Sequence, residues 1–131
     1  MVQVPNDMNS EMSMQMVSQD ERGSMAKCQF GKTVWIAHTK KGYGRGGEYH
    51  PVRQYMAVVY GQILVKMMIN EEEIERRLID GQSIVIPEDC AHVMFALEDS
   101  LVIEWHDGEL PPFDQKKIYE PYRKLIWKKR E

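Results

Sequence analysis

From residue 33 onward, the chain is organised as short β-branched and aromatic runs separated by turn residues. Residues 54–68 are apolar on both faces and are broken by Gly61, which indicates a buried strand, a turn and a second strand. The other runs of this kind are residues 33–39, 83–87, 93–96 and 101–106. Many short strands at this spacing predict an all-β body, either closed or built from two sheets.

Residues 70–80 are compatible with two local structures. Asn70 is a suitable helix N-cap, and Ile74 and Leu78 lie four residues apart, on one face of such a helix. The segment between the flanking strand signals is short, however, and a barrel requires a hairpin there. We therefore favour a hairpin, with residues 77–80 entering the next strand.

The two ends of the chain differ from its middle. Six of the ten methionines fall in the first 25 residues, with no persistent period of 2 or 3.6. We divide the chain into an N-terminal arm at 1–25 and a single domain at 26–131. The arm is interpreted as either a frayed terminus or a contact surface for a second subunit. Residues 118–129 predict a short helix on the outside of the body.

Composition and charge narrow the function classes. No apolar run among the 131 residues approaches the roughly 18 needed to cross a bilayer, so a soluble protein is expected. No secretory leader is visible, and two cysteines without an export signal favour a reduced, cytoplasmic protein. The net charge of −3 gives no reason to expect nucleic-acid binding. The basic stretch at 116–131 is interpreted as a solvated end.

Two blocks of the sequence contain side chains that can bind a metal ion. Glu48, His50 and Gln54 point the same way if their segment is extended, and His92 follows in the second block. Carboxylate, imidazole and amide donors suit a divalent transition metal better than calcium or magnesium. The donor set does not choose between iron, manganese, nickel and zinc.

The spacing of these blocks resembles the two signature motifs of the cupin superfamily, over residues 30–107. The first motif is His-x-His, three or four residues, Glu, six residues, Gly, and it is matched at Glu48, His50, Gln54 and Gly61. The second is Gly, five residues, Pro-x-Gly, two residues, His, three residues, Asn, and it is matched at Gly81, Pro87, Asp89, His92 and Ala96. Departures from the motifs occur at Glu48 (usually His), Gln54 (usually Glu), Asp89 (usually Gly) and Ala96 (usually Asn).

The resemblance implies a cupin-like double-stranded β-helix, that is a jelly-roll barrel, with a short C-terminal helix and pairing into a homodimer. It implies a divalent metal held by Glu48, His50 and His92, with Gln54 as a weak fourth ligand or a hydrogen-bond partner. A substrate pocket is expected beside the metal, with the candidate residues His38, Met56, Met94, Glu104 and His106.

The sequence leaves several functions open. The leading hypothesis is a metal-dependent isomerase or epimerase acting on a small, carbohydrate-like substrate, with the metal polarising a carbonyl or hydroxyl oxygen. If the metal is iron, a dioxygenase is equally compatible. Alternatives are a non-catalytic small-molecule-binding barrel, favoured by the neutral Gln54, and a metal-free isomerase in which His50 transfers a proton.

Overall fold

The computed structural model describes residues 12–108 and 117–130, and in them two antiparallel sheets form a barrel. The strands are β1 (Met12–Asp20), β2 (Gly23–Phe30), β3 (Thr33–Thr39), β4 (Gly44–Tyr49), β5 (Gln54–Tyr60), β6 (Gln62–Ile69), β7 (Glu72–Ile79), β8 (Ser83–Ile86), β9 (His92–Ala96), β10 (Ser100–His106) and β11 (Lys117–Ile118), and the helix α1 is Glu120–Arg123. One sheet has the order β1-β2-β3-β10-β5-β8 and the other β11-β4-β9-β6-β7. This arrangement confirms the predicted all-β jelly-roll barrel.

The core lies between the two sheets. Along β5 and β6 the buried residues alternate with more exposed ones, because each strand turns one face to the core and the other outward. The expectation of burial on both faces of 54–68 is therefore wrong, although apolar residues do occupy both faces. The buried cluster between the sheets comprises Met56, Val58, Ile63, Val65, Met67, Leu78, Ile86, Cys90, Met94 and Val102.

The ambiguous segment after β6 is a hairpin. Asn70 and Glu71 have φ values of 52° and 66°, as a two-residue type I′ turn requires, and β6 pairs with β7 on either side of it. The favoured hairpin is confirmed and the helix is excluded. The strand after the turn begins at Glu72, earlier than the predicted 77–80.

The amino-terminal region differs from the expected irregular arm. β1 pairs with β2, and β2 runs through the predicted boundary between residues 25 and 26. The period of 2 in Met12-Ser-Met-Gln-Met is interrupted because the pairing register shifts between Met16 and Ser18. Residues 1–11 of the predicted arm lie outside the described residues, and its contact with a second subunit stays a prediction.

The carboxyl-terminal segment packs against the outer face of the second sheet. The helix is only four residues long, shorter than the predicted 118–129. Tyr122 and Ile126 are buried against Val93 and Phe95 of β9, and the Tyr122 hydroxyl donates a hydrogen bond to Glu73 Oε1 at 3.0 Å. No helix within the described ranges 12–108 and 117–130 has the length and apolarity that a bilayer crossing requires.

Tyr122 is expected to make stability fall at alkaline pH. Burial, with the hydrogen bond to Glu73, raises the pKa of Tyr122 above its ordinary value. The stabilisation that Tyr122 provides is therefore complete below about pH 10, which is the pKa of tyrosine in the unfolded chain. It is lost as the pH rises from there towards the pKa of Tyr122 in the folded protein. In urea denaturation at pH 7, Tyr122→Phe should cost about 1 kcal/mol. Between pH 9 and 11 the variant should lose less stability than the wild type, and equal losses would contradict this assignment.

Candidate functional site

A β-bulge in β4 determines which of its side chains enter the barrel. Arg45 pairs with Met94 of β9 and Glu48 pairs with His92, and the register shifts between Gly46 and Glu48. In a regular strand, residues three apart point to opposite faces, whereas the extra residue of the bulge turns both Arg45 and Glu48 inward. Gly46 and Gly47 have φ values of 102° and 79°, a region that favours glycine.

The candidate ligands come from both sheets. Glu48 lies at the end of β4 and Gln54 at the start of β5, and residues 50–53 between them are not strand. The expectation that residues 48, 50 and 54 share one extended segment is therefore wrong, because the chain crosses from one sheet to the other there. A small cleft lies where the sheets face each other. It is lined by Met25, Arg45, Gly46, Glu48, Gln54, Met56, His92, Met94 and Glu104.

Three histidine rings lie close together at this end of the barrel. The ring centroid of His50 is 5.5 Å from that of His92 and 5.2 Å from that of His106. His50 Nε2 is 3.5 Å from Glu48 Oε1. His92 Nδ1 is 3.0 Å from the Cys90 carbonyl oxygen, and because that oxygen only accepts, Nδ1 is the protonated nitrogen of the neutral ring. His50 Nδ1 is buried and has no hydrogen-bond partner within the described part of the chain.

The donor residues are of types that bind divalent metals, but their positions in the described part of the chain do not form a metal site. Two imidazoles and one carboxylate are a common ligand set for transition metals. A histidine whose Nδ1 is held by a main-chain carbonyl, as in His92, is typical of metal-binding histidines. Across residues 12–108 and 117–130, however, no three His, Cys, Asp or Glu side chains are grouped as a metal site.

Gln54 links two pocket residues by hydrogen bonds. Its Nε2 donates to Glu104 Oε2 at 3.2 Å, and its Oε1 accepts from His106 Nε2 at 3.2 Å. Gln54 is buried, and both ends of its amide are engaged in this bridge. Gln54 is therefore a hydrogen-bond partner of Glu104 and His106 in this structure, and its role beside a metal ion, as a weak fourth ligand or a hydrogen-bond partner, stays a prediction.

Arg45 is a residue of the cleft that the sequence analysis missed. It is only 4% exposed, and its guanidinium donates to Thr39 Oγ1 at 2.7 Å and to the His38 and Ser24 carbonyl oxygens at 3.2 and 3.3 Å. Burial, together with the nearby Arg22, lowers the pKa of Arg45 from its ordinary value. Asp20 and Glu104 raise this pKa in turn, so two carboxylates partly balance the buried cation, which can still attract an anionic or hydroxyl-rich ligand in the adjoining space.

His38 does not line the cleft, which corrects its assignment to the substrate pocket. It lies between Ala37 and Thr39, which are fully buried, and strand alternation turns it to the opposite face. There its ring centroid lies 6.4 Å from that of Tyr60. The other candidates are at or beside the cleft: Met56, Met94 and Glu104 line it, and His106 contacts Gln54 and His50.

No protein-family model and no curated protein sequence matches this chain, but solved structures do. CapF, a capsular polysaccharide assembling protein of Staphylococcus aureus, has a TM-score of 0.70 at 21% identity, over 81% of this chain and 32% of its own. Oxalate decarboxylase of Bacillus subtilis has a TM-score of 0.68 at 14% identity, and the match covers 81% of this chain and 30% of the decarboxylase. The structure of Drosophila melanogaster CENP-C bound to CAL1 gives a TM-score of 0.61 at 14% identity, and the match covers 72% of this chain and 76% of the matched chain.

These similarities identify the fold. CapF and oxalate decarboxylase have the cupin fold, and this chain shares that fold with them. It spans about a third of the length of those two proteins. At identities of 14 to 21% the likeness is one of fold, so activity and ligands have to be argued from the cleft itself.

Proposed function

We propose that this cupin barrel binds a divalent transition metal and a small, carbohydrate-like ligand, on which it acts as an isomerase or epimerase. The observation that carries the proposal is that Glu48 and His92 line one cleft with Arg45 and Glu104, and that the His50 ring lies against both Glu48 and His92. The Mn(II) centres of Bacillus subtilis oxalate decarboxylase show that a barrel of this fold is able to hold such an ion.

The side chains in and beside the cleft would each have a role in such a reaction. Isomerisation next to a carbonyl needs a base for the proton and a positive group at the oxygen where charge develops. A bound divalent ion supplies that electrophilic stabilisation. In the metal-free isomerase considered above, His50, whose buried Nδ1 lacks a hydrogen-bond partner in the described ranges, would transfer the proton instead of binding an ion. Arg45 would bind anionic or hydroxyl groups of the ligand, and Glu104 would accept hydrogen bonds from its hydroxyl groups.

A non-catalytic binding barrel is the second candidate function. Gln54 is neutral and is engaged in the bridge between Glu104 and His106, and the described donors are not grouped as a metal site. CENP-C, of which this chain covers 76%, is seen bound to CAL1, which shows that a barrel of this size occurs in a binding complex. The Gln54 bridge favours ligand capture without turnover.

Solvent exchange distinguishes the two candidates. The metal-loaded protein is incubated in D₂O with phosphorylated and nucleotide-linked keto-hexoses, and deuterium at the carbon beside the carbonyl is followed by NMR. An isomerase should incorporate deuterium, and His50→Ala should slow incorporation by about 100-fold or more, whereas His38→Ala on the opposite face should not. Saturable binding of a keto-hexose without exchange would favour the binding barrel.

The oligomeric state, the location and the partners of the protein are also part of the proposal. A homodimer, cytoplasmic and without nucleic-acid or membrane partners, is our expectation for the intact protein. Light scattering of the purified chain tests the dimer, and a concentration-independent monomer mass would exclude it.

A further inference from the structure

The segment after β11 runs along the outer side of β4, the strand that carries Arg45 and Glu48. The amide of Tyr119 donates to the Gly47 carbonyl at 2.9 Å, and the amide of Arg130 donates to the Gly42 carbonyl at 2.7 Å. Tyr122 and Ile126 are buried between these two points. The segment is therefore fixed against β4 at both ends of the bulge region.

Within this segment, Arg123 contacts the bulge and the candidate ligand Glu48. Its Nη1 donates to the Gly46 carbonyl at 2.9 Å and lies 3.9 Å from Glu48 Oε2. The other oxygen of that carboxylate, Oε1, is 3.5 Å from His50 Nε2. The Glu48 carboxylate thus lies between a guanidinium and an imidazole, with one oxygen within ion-pair distance of each, and its buried Oε2 accepts no hydrogen bond within the described residues.

The surroundings make this contact more than a surface ion pair. The side chains of Arg123 and Glu48 are 24% and 14% exposed, so solvent screens their attraction less than it would on an open surface. The hydrogen bond to Gly46 falls on the residue from which the register shift of β4 starts. Removing the guanidinium takes away the hydrogen bond to the bulge carbonyl and the positive charge beside the Glu48 carboxylate.

Gly47 allows Arg123 to come this close. A Cβ atom at position 47 would lie 2.5 Å from the Cα atom of Arg123 and 2.6 Å from its amide nitrogen. The main chain of α1 therefore occupies the space that any other residue would fill. The sequence Arg45-Gly-Gly-Glu48 and the distant Arg123 form one structural unit.

We propose that Arg123 is a positioning residue of the candidate metal centre. It fixes the bulge through the Gly46 carbonyl and orients the Glu48 carboxylate, so that Oε1 faces His50. Its action on an ion rests on the proposed function, whereas its action on the bulge is independent of any ion. Arg123 does not line the cleft itself, and it acts only through Glu48 and the main chain.

The test compares Arg123→Ala and Arg123→Lys with Lys124→Ala, an exposed neighbour on the same segment. Cobalt(II) affinity is measured by calorimetry, the cobalt coordination by its visible spectrum, and the bulge by amide hydrogen exchange over residues 44–49. Arg123→Ala should weaken cobalt binding about tenfold or more, alter the spectrum and speed exchange. Arg123→Lys keeps the charge and one donor and should recover part of each loss. Lys124→Ala should match the wild type.

The two proposals fail in different ways. Unchanged affinity and unchanged exchange in Arg123→Ala would overturn the positioning role even if the wild type binds cobalt. If the wild type binds no ion, the proposed function fails, and exchange at the bulge alone decides whether Arg123 holds it. If Arg123→Ala does not fold, Arg123→Met, which keeps the aliphatic stem but neither charge nor donor, takes its place, and affinity and exchange equal to the wild type would overturn the role.

Discussion

Replacing Gly47 by alanine is expected to destabilise the protein by about 3 kcal/mol or more and to weaken ion binding at least tenfold. A φ of 79° costs a non-glycine residue about 1 kcal/mol or more, and the added Cβ atom would lie 2.5 Å from the Cα atom of Arg123. The C-terminal segment has to move away from β4, which releases the bulge that turns Arg45 and Glu48 inward. Urea denaturation and cobalt titration measure the two effects.

Gly81 provides a matched control for this substitution. It has the same φ of 79°, but a Cβ atom there would meet nothing within 4 Å. Gly81→Ala should therefore cost about 1 kcal/mol, from backbone strain only, and should leave ion binding unchanged. Equal destabilisation by the two substitutions would show that the close approach of Arg123 contributes nothing.

Restoring the usual cupin carboxylate with Gln54→Glu is expected to have opposite effects without and with metal. Without metal, two carboxylates would stand where Gln54 Nε2 now lies 3.2 Å from Glu104 Oε2, and their repulsion raises the folded-state pKa of the pair. Below about pH 4 the variant should be as stable as the wild type. As the pH rises the variant should lose stability, and at pH 8 its free energy of unfolding should be about 2 to 4 kcal/mol below that of the wild type. Added metal should reverse this loss, because the ion neutralises the pair.

Chemical denaturation of Gln54→Glu from pH 4 to 8, with and without manganese, measures both effects. Gln29→Glu, on an exposed part of β2, introduces the same charge far from the cleft and should change stability by less than about 0.5 kcal/mol. A Gln54→Glu protein that binds manganese no more tightly than the wild type would argue against a metal centre at this place.

Much of the fold could be predicted from short-range pattern. Strand-forming runs such as 33–39 are local signals and agree with the structure, and the hairpin after β6 was favoured, although its turn at Asn70 and Glu71 comes earlier than expected. β1 was missed because the bulge after Met16 breaks its alternation and because a run of Met, Ser and Gln lacks the β-branched texture of a strand. Local pattern fails where a bulge changes the register.

The bulge in β4 and two other features limit what the sequence predicts about the site. The motif spacing identified Glu48, His50 and His92 but gave no reason to consider Arg45, which points inward only because of the bulge at Gly46 and Gly47. His38 was misplaced because a continuous apolar run does not show which face of β3 is inside. Arg123 lies far along the chain from Glu48, and only the folded structure shows their contact.

The measurement that tests the central claim most directly is the metal content of tag-free protein, by elemental mass spectrometry after anaerobic loading with iron(II), manganese, nickel or zinc. The wild type and His38→Ala, altered on the outer face, should each retain about one ion per chain. The double variant His50→Ala/His92→Ala should retain none, because it lacks both imidazole donors. Absence of a stoichiometric ion in the wild type under every loading, or equal retention by the double variant, would contradict a metal centre in this cleft.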